Sequence, residues 1–337
     1  MSYQITVQPS GRQYAAEADE SLLDAALRQG LHMPHGCRDG ACGACKGKVL
    51  AGEVDHGKAQ RSAEDETAGL ALFCCARARS DLSIECAQLR TSDALPVKTL
   101  PARIEKLEQP APDVLELHLR LPANETLAFH AGQYIDILLK DGRKRSFSLA
   151  NAPGAGGLLE LHVRHVPGGF FTGHLFANAK VRDILRFEGP HGSFYVQNPD
   201  RKPLILLAGG TGFAPIKAIV EQSLIAGERT PLHIYWGGRR PLDLYQNALA
   251  SGWAAEHAHI HYVPVVSEAL AEDAWSGRSG LVHRAVLADF PDLSAHQVYA
   301  CGAPPMIDAA RRDFIGQCGL PEAQFFADAF TYAASGA

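Results

Sequence analysis

The first residues able to do chemistry are thiols: Cys37, Cys42 and Cys45 in the run Cys37-Arg38-Asp39-Gly40-Ala41-Cys42-Gly43-Ala44-Cys45, and a further one from Cys74-Cys75. Spacings of four and then two residues, with a distant fourth thiolate, are those with which a chain ligates a [2Fe-2S] cluster. Gly36, Gly40 and Gly43 support this reading. A loop that turns its backbone N–H groups toward sulfur needs dihedrals and a closeness of approach that glycine permits. A structural zinc site also takes four cysteines but usually pairs them as two C-x2-C units. Only Cys42 and Cys45 have that spacing. A cluster with two histidine ligands would need His32 and His35 at a spacing they do not have, and both read as surface histidines.

Glycine loops supply a second kind of chemistry. An apolar strand pattern at 204–208 runs into Gly209-Gly210-Thr211-Gly212-Phe213-Ala214-Pro215 and then a helix pattern. Such a strand, loop and helix start form a pyrophosphate cradle, with backbone N–H groups facing the charge. Pro215 suits the first helical turn. Tyr299-Ala300-Cys301-Gly302 ends a later strand pattern, at the edge where open sheets bind ligands. Arg145-Ser146-Phe147-Ser148 presents an arginine, a ring and hydroxyls at a strand end. Pro167-Gly168-Gly169-Phe170-Phe171-Thr172 puts two glycines ahead of a hydroxyl that can cap a helix, whose N-terminus attracts phosphate. Each of these shorter motifs also reads as a plain turn. The stretch Phe325-Phe326-Ala327-Asp328-Ala329-Phe330 reads as a terminal strand carrying an acid and an aromatic.

Positioning all of these takes more than one core. At 337 residues, with 46% hydrophobic and 20% charged, the chain has the composition of a globular protein of two or three domains. No run of eighteen apolar residues occurs, so neither a membrane span nor a signal peptide is expected. Eight cysteines, four of them assigned to a metal, point to a reducing cytoplasm, and a net charge of -5 gives no footprint for nucleic acid.

The fold class read from these patterns is multidomain α+β. Residues 1–92 show a hairpin at 3–8 and 12–16, a helix capped by Ser21 and ended by Gly30, a strand at 46–50, a short helix at 62–69 and a closing strand at 82–86, which fits a β-grasp domain. A linker follows at 93–100. Short alternating segments at 101–198, separated by turns at 110–113, 141–142 and 189–192, predict an antiparallel β-barrel. Alternating strands and helices over 199–337 predict a Rossmann-like doubly wound sheet. Cys86 and Cys318 read as buried thiols.

With these motifs in this order, the chain resembles the ferredoxin–NADP reductase superfamily over essentially its whole length. The likeness is to the single-chain reductases with an N-terminal plant-type ferredoxin domain. Their R-x-[YF]-S matches Arg145 to Ser148, G-x-x-[ST] matches Gly169 to Thr172, G-x-G-x-x-P matches Gly210 to Pro215, and C-G matches Cys301-Gly302. Within the family, Cys74-Cys75, residues 148–153 and residues 299–303 are most similar to reductases of deoxysugar dehydrases. Two clues to the fourth ligand disagree. Ala76, Ser80 and Asp81 match the ferredoxin segment C-x-A-x-x-x-S-D and select Cys74, whereas the twenty-nine residues between Cys45 and Cys75 favour Cys75. The expected ligand is Cys74, with one residue deleted between 56 and 64.

The resemblance implies FAD in the barrel, with Arg145 near its pyrophosphate, Ser146 and Phe147 beside it, Ser148 close to the flavin N5, and Gly169, Thr172 and Arg164 at its phosphates. It implies NAD(P)H across Gly210, Thr211, Gly212 and Pro215, with Cys301 and Gly302 beside the nicotinamide. The family's E-x-Y ending is met only by analogy, Asp328 standing for the acid and Phe330 for the aromatic. Because a nicotinamide gives electrons in pairs and a [2Fe-2S] cluster takes them singly, the implied order is NAD(P)H, FAD, cluster, acceptor protein. That acceptor is a terminal oxygenase or a deoxysugar dehydrase component, and the reductase is expected to be a monomer. In Gly237-Gly238-Arg239-Arg240-Pro241-Leu242-Asp243 the arginines could bind a 2′-phosphate and Asp243 could instead hold free ribose hydroxyls; NADH is expected. Two alternatives stay open: a zinc-stapled, non-catalytic binding or sensory module, and a reductase that releases free reduced flavin.

Overall fold

The computed structural model describes residues 1–36, 38, 40, 43–57, 59, 61–86, 89–91, 95–154, 156–198 and 200–330. The expected ligands Cys37 and Cys42 lie outside the described residues, as does part of the expected linker. By its internal contacts the chain divides into a first unit, residues 1–95 with 192–194, and a second made of the remainder.

In the first unit, alternating side chains of Ser2–Gln8 and Arg12–Glu17 put Ile5, Val7, Tyr14 and Ala16 on one buried face. The sheet has the order Arg12–Glu17, Ser2–Gln8, Leu82–Glu85, Lys46–Ala51, Leu70–Leu72, with the second and third strands parallel. Helix Leu22–Arg28 covers it through Leu22, Leu23, Ala25 and Ala26. Ser21 caps that helix by accepting the Asp24 N–H at 3.0 Å, and the Tyr14 hydroxyl donates to the Leu22 carbonyl at 3.0 Å. A mixed sheet crossed by one helix is the β-grasp arrangement anticipated. His35, however, is buried, with Nδ1 2.9 Å from the Met33 carbonyl, and Cys86 is only half-buried.

The second unit contains a six-stranded antiparallel sheet ordered Lys144–Ser148, Tyr134–Leu138, Ile184–His191, Lys98–Ala111, Val114–Arg120, Leu158–Arg164. A bridge between Leu149 and Leu161 brings its two ends together, making a barrel filled by Leu117, Leu119, Ile135, Leu161, Val163 and Phe187. Strand Lys98–Ala111 begins inside the stretch expected to be linker and runs through Pro110. Pairing of Lys98 with Gly189 and Thr99 with Glu188 imposes the extended form there. Residues 189–191 likewise end a strand instead of forming a turn. Gly189 is needed there because a Cβ would lie 2.7 Å from the Ile135 side chain.

The same unit holds a six-stranded all-parallel sheet ordered Arg278–Ser279, Ile260–Val266, Leu232–Gly238, Leu204–Gly209, Gln297–Gly302, Phe325–Ala329. Helices Phe213–Ile225, Asn247–Glu256, Val282–Asp289 and Pro304–Cys318 connect it. Strand order reverses between Leu204–Gly209 and Gln297–Gly302, so the carboxyl ends of those two strands form the crevice where such sheets bind ligands.

Candidate cofactor sites

Strand Leu204–Gly209 is buried and feeds the single turn Gly210–Gly212 and then helix Phe213–Ile225, with Pro215 in its first turn. Gly212 lies so close to the neighbouring strand that a Cβ there would stand 2.1 Å from the Cys301 carbonyl oxygen. Gly302, at φ +149°, would meet Gly209 Cα at 3.1 Å. The Trp236 indole N–H donates to the Gly210 carbonyl at 2.9 Å while its ring stacks on Phe213 at 3.8 Å, fixing the loop from behind. In front of the loop is a cavity of about 450 Å³ whose wall includes Arg164, Gly210, Thr211, Gly238, Asp243 and Phe330.

Arg164 was expected at the FAD phosphates. Its guanidinium stands 3.4 Å from where a Gly210 Cβ would be, on the wall of this cavity. Its Nε and Nη2 are buried without a hydrogen-bond partner among the described residues, and the nearest carboxylates, Asp113 and Asp243, are each 3.6 Å away. Buried donors left unmet are costly, and an anion held against the glycine loop would satisfy them. The residues present therefore fit a pyrophosphate.

Beside this crevice the barrel strand Lys144–Ser148 presents the expected flavin-site residues. Arg145 is half-buried and donates to the Lys144 carbonyl at 2.8 Å, exposed Ser146 donates to Asp136 at 2.6 Å, and Phe147 meets the Phe171 ring at 5.7 Å. Ser148 is buried, with its hydroxyl near enough to the Asp328 carboxyl to favour the ionised form. Asp328 pairs in register with Cys301 across parallel strands, and the Phe330 N–H donates to the Gly302 carbonyl at 2.8 Å. The fold thus brings Ser148, Cys301, Asp328 and Phe330 together from three separate segments. Burial pushes the Asp328 carboxyl up to about 6, with the Ser148 hydroxyl working against it. Burial, helped by the Asp328 charge, also keeps the Cys301 thiol protonated.

Thr172 does not cap a helix as expected. Gly169 occupies the cap position of Phe170–Asn178, and the Thr172 hydroxyl accepts the Val166 N–H at 3.1 Å. A Cβ on Gly169 would lie 2.8 Å from that hydroxyl, so the glycine is what lets Thr172 fold back on the loop.

A buried ionic network also joins barrel to parallel sheet. Lys217 bridges Glu160 at 2.9 Å and Glu221 at 2.7 Å, and His162 connects Glu160 and the Tyr245 hydroxyl, each at 2.8 Å. Burial works to raise the Glu160 carboxyl, but His162 and Lys217 outweigh it and hold it at about 2. Sequence reasoning missed this network. The available signal was a lysine inside an apolar helix pattern with Glu221 one turn on; Glu160 and His162 lie far off in sequence.

In the first unit Cys45 and Cys74 are buried, and the Cys74 N–H points at the Cys45 sulfur at 3.5 Å. The Phe73 N–H donates to the Cys45 carbonyl at 3.1 Å, tying the two segments. Cys75 is half-buried, with its sulfur 3.7 Å from that of Cys74 and 2.8 Å from where a Gly40 Cβ would stand. Gly40 and Gly43 have φ of +86° and +72°. Two buried thiols, one receiving a backbone N–H, fit the environment of an iron–sulfur cluster.

Comparison with known proteins adds three domain matches. Residues 5–79 match the 2Fe-2S iron-sulfur cluster binding domain, 101–195 the oxidoreductase FAD-binding domain, and 206–312 the oxidoreductase NAD-binding domain. The CDP-6-deoxy-L-threo-D-glycero-4-hexulose-3-dehydrase reductase of Yersinia pseudotuberculosis is 43% identical over 98% of this chain and 99% of its own. The reductase component of a Pseudomonas phenol 2-monooxygenase is 37% identical over 100% and 97%. Among solved structures, the Amycolatopsis cytochrome P450 reductase GcoB superposes with a TM-score of 0.77 at 34% identity, covering 98% of this chain and 100% of that one. No helix among the described residues is long and apolar enough to cross a membrane.

Proposed function

We propose residue roles and an acceptor class for this chain, which belongs to the ferredoxin–NADP reductase superfamily as a single-chain reductase with an N-terminal [2Fe-2S] domain. It is an oxidoreductase that carries electrons from a nicotinamide nucleotide through FAD and the cluster to a partner protein. The domain matches speak against the zinc-stapled, non-catalytic alternative. Bound FAD takes electrons as a pair and passes them on singly, and the cluster accepts one at a time.

The chain's own groups hold and orient. Arg145, with Ser146 and Phe147, holds the FAD pyrophosphate from the barrel edge, and Gly169 with the Thr172-braced loop completes that hold. Gly210, Thr211, Gly212 and Pro215 shape the nicotinamide-nucleotide cradle, and Arg164 supplies its cation from the barrel. Ser148 presents its hydroxyl at the reacting edge of the flavin, oriented by Asp328, which keeps its own proton below a pH of about 6. Cys301 and Gly302 form the wall behind the nicotinamide, and Phe330 covers the crevice. What carries this assignment is the meeting of Ser148 with the Cys301–Asp328 strand pair, a barrel hydroxyl set against the switch point of the parallel sheet. The nucleotide is NADH, because the buried carboxylate of Asp243 lines the cavity and would oppose a 2′-phosphate. The acceptor is a nucleotide-sugar dehydrase or oxygenase component, of the kind its relatives serve, met by a monomeric reductase in the cytoplasm.

For the cluster, Cys37, Cys42, Cys45 and Cys74 are the ligands. Support for Cys74 over Cys75 comes from its deeper burial and from its N–H directed at Cys45. Cys74→Ser and Cys75→Ser decide it: the first is expected to lose the visible and EPR signals of the cluster and its transfer to a one-electron protein acceptor. NADH-driven ferricyanide reduction should persist in that variant. The second is expected to keep all three. Loss of the cluster in Cys75→Ser alone reverses the ligand assignment, and a colourless wild-type protein would overturn the electron path.

A further inference from the structure

Strand Leu232–Gly238 leads into Arg239, Arg240 and Asp243, the segment that meets the adenosine ribose in sheets of this kind. The two arginines there are disposed very differently. Arg239 lines the cavity with its side chain 65% exposed and Nε 3.6 Å from Asp243. One oxygen of Asp243 accepts the backbone N–H groups of Arg239 at 2.7 Å and Arg240 at 3.1 Å, which pins the carboxylate in the wall. Arg240 sits between two cavity-lining positions, yet its guanidinium is engaged elsewhere. Its Nε and Nη2 donate to the two oxygens of Asp273 at 2.6 and 2.7 Å, and Glu272 stands 3.4 Å from Nη2. Two parallel N–H···O bonds are the strongest and most directional contact a guanidinium makes with a carboxylate. Asp273 is itself fixed, since the oxygen that takes Nε also accepts the Leu270 N–H at 2.9 Å.

We propose that Asp273 sets nucleotide specificity: by holding Arg240 in a two-pronged ion pair it withholds from a 2′-phosphate the second guanidinium this loop would otherwise offer. The inference rests on the reading of the cavity as an NADH site. A 2′-phosphate arriving beside Asp243 meets a like charge, and from this loop only Arg239, already leaning on that carboxylate, is set against it; Arg164, 3.6 Å from the other oxygen of Asp243, is buried against the glycine loop. With Arg240 released, two guanidiniums would face the phosphate, the arrangement that suits Arg recognition of that group. Asp273 acts only through Arg240 and is a positioning residue.

Asp273→Asn removes the charge while retaining an oxygen for the Leu270 N–H. In the full-length FAD-loaded protein, titration calorimetry with 2′,5′-ADP is expected to show binding about tenfold tighter than wild type, the worth of one charge-assisted contact. The kcat/KM ratio of NADPH to NADH should rise in step. Adding Arg240→Ala to Asp273→Asn is expected to cancel the gain, and Arg240→Ala alone to leave 2′,5′-ADP affinity within about twofold of wild type. An unchanged affinity in Asp273→Asn, a gain that survives Arg240→Ala, or a large loss in Arg240→Ala alone overturns the proposal. If wild type prefers NADPH, the NADH reading falls and this inference with it. If wild type prefers NADH and Asp273→Asn gains nothing, only the role of Asp273 falls.

Discussion

Two glycine-bearing loops, one beside the thiols of the first unit and one in the parallel-sheet crevice of the second, use glycine differently. In the thiol loop of the first unit, Gly43 has φ +72°, and among the described residues a side chain there would meet nothing within 4 Å. What excludes other residues is backbone conformation alone. In the dinucleotide loop of the second unit, Gly212 has φ of -60°, which any residue adopts, yet a Cβ would lie 2.1 Å from the carbonyl oxygen of Cys301. There the restriction is space. Gly43 is limited by its own dihedral and Gly212 by a strand that arrives from far along the chain, so damage should stay local at the first and spread at the second.

The largest effect is therefore expected for Gly212→Ala. Backbone stands on both sides of the contact, so relief requires the crossing of the Gly210–Gly212 turn over the end of Gln297–Gly302 to open, which displaces the loop and Cys301 together. A misplacement of about 1 Å at a reacting centre costs roughly 100-fold, and kcat/KM for NADH-driven ferricyanide reduction should fall by about that factor while FAD absorbance persists. Activity near wild type would show that the loop does not depend on the close crossing, and the contrast between the loops would dissolve.

The same crossing extends to Phe325–Ala329, where it leaves Asp328 buried beside Cys301. Burial raises this carboxyl from its ordinary 3.8 to about 6. The folded protein then holds the proton more tightly than the unfolded chain. Its contribution to stability is complete below pH 4 and is lost as pH rises through 6, a change on the order of 2–3 kcal/mol. Asp328→Asn has no such proton to lose. Denaturant unfolding of both proteins from pH 4 to 7 should show the wild type losing stability relative to the variant over that window and running parallel above it. A constant difference across the range would mean that the crowding at the crossing is not felt as desolvation.

Which of these features could be read from the chain follows from how local they are. The Cys42-to-Cys45 spacing, the Gly210 to Pro215 loop and the Ser21 cap are each written within a few residues, because a turn or a helix start is fixed by its own dihedrals and donors. The β-grasp, barrel and parallel-sheet architectures were likewise legible, since period-2 alternation and alternating strands and helices are properties of contiguous stretches. Contacts between distant segments were not. Nothing near Arg164 says that its guanidinium reaches Gly210, nothing near Arg240 points to Asp273, and Thr172 looks like a cap until Val166 is seen to claim its hydroxyl. The extended start at Lys98, in a stretch with no strand pattern of its own, is imposed by its partner Ile184–His191.

The smallest effect should come from Gly43→Ala, and it tests the other half of the contrast. With no neighbour within 4 Å of the new methyl group among the described residues, the expected penalty is that of placing an L-residue at φ +72°, about 1–2 kcal/mol. Cluster assembly should survive, with the visible absorbance retained and the melting temperature of the first unit lowered by several degrees. Loss of the cluster, as expected for Cys74→Ser, would mean that space as well as conformation limits this loop, and that sulfur-facing N–H groups there tolerate no displacement.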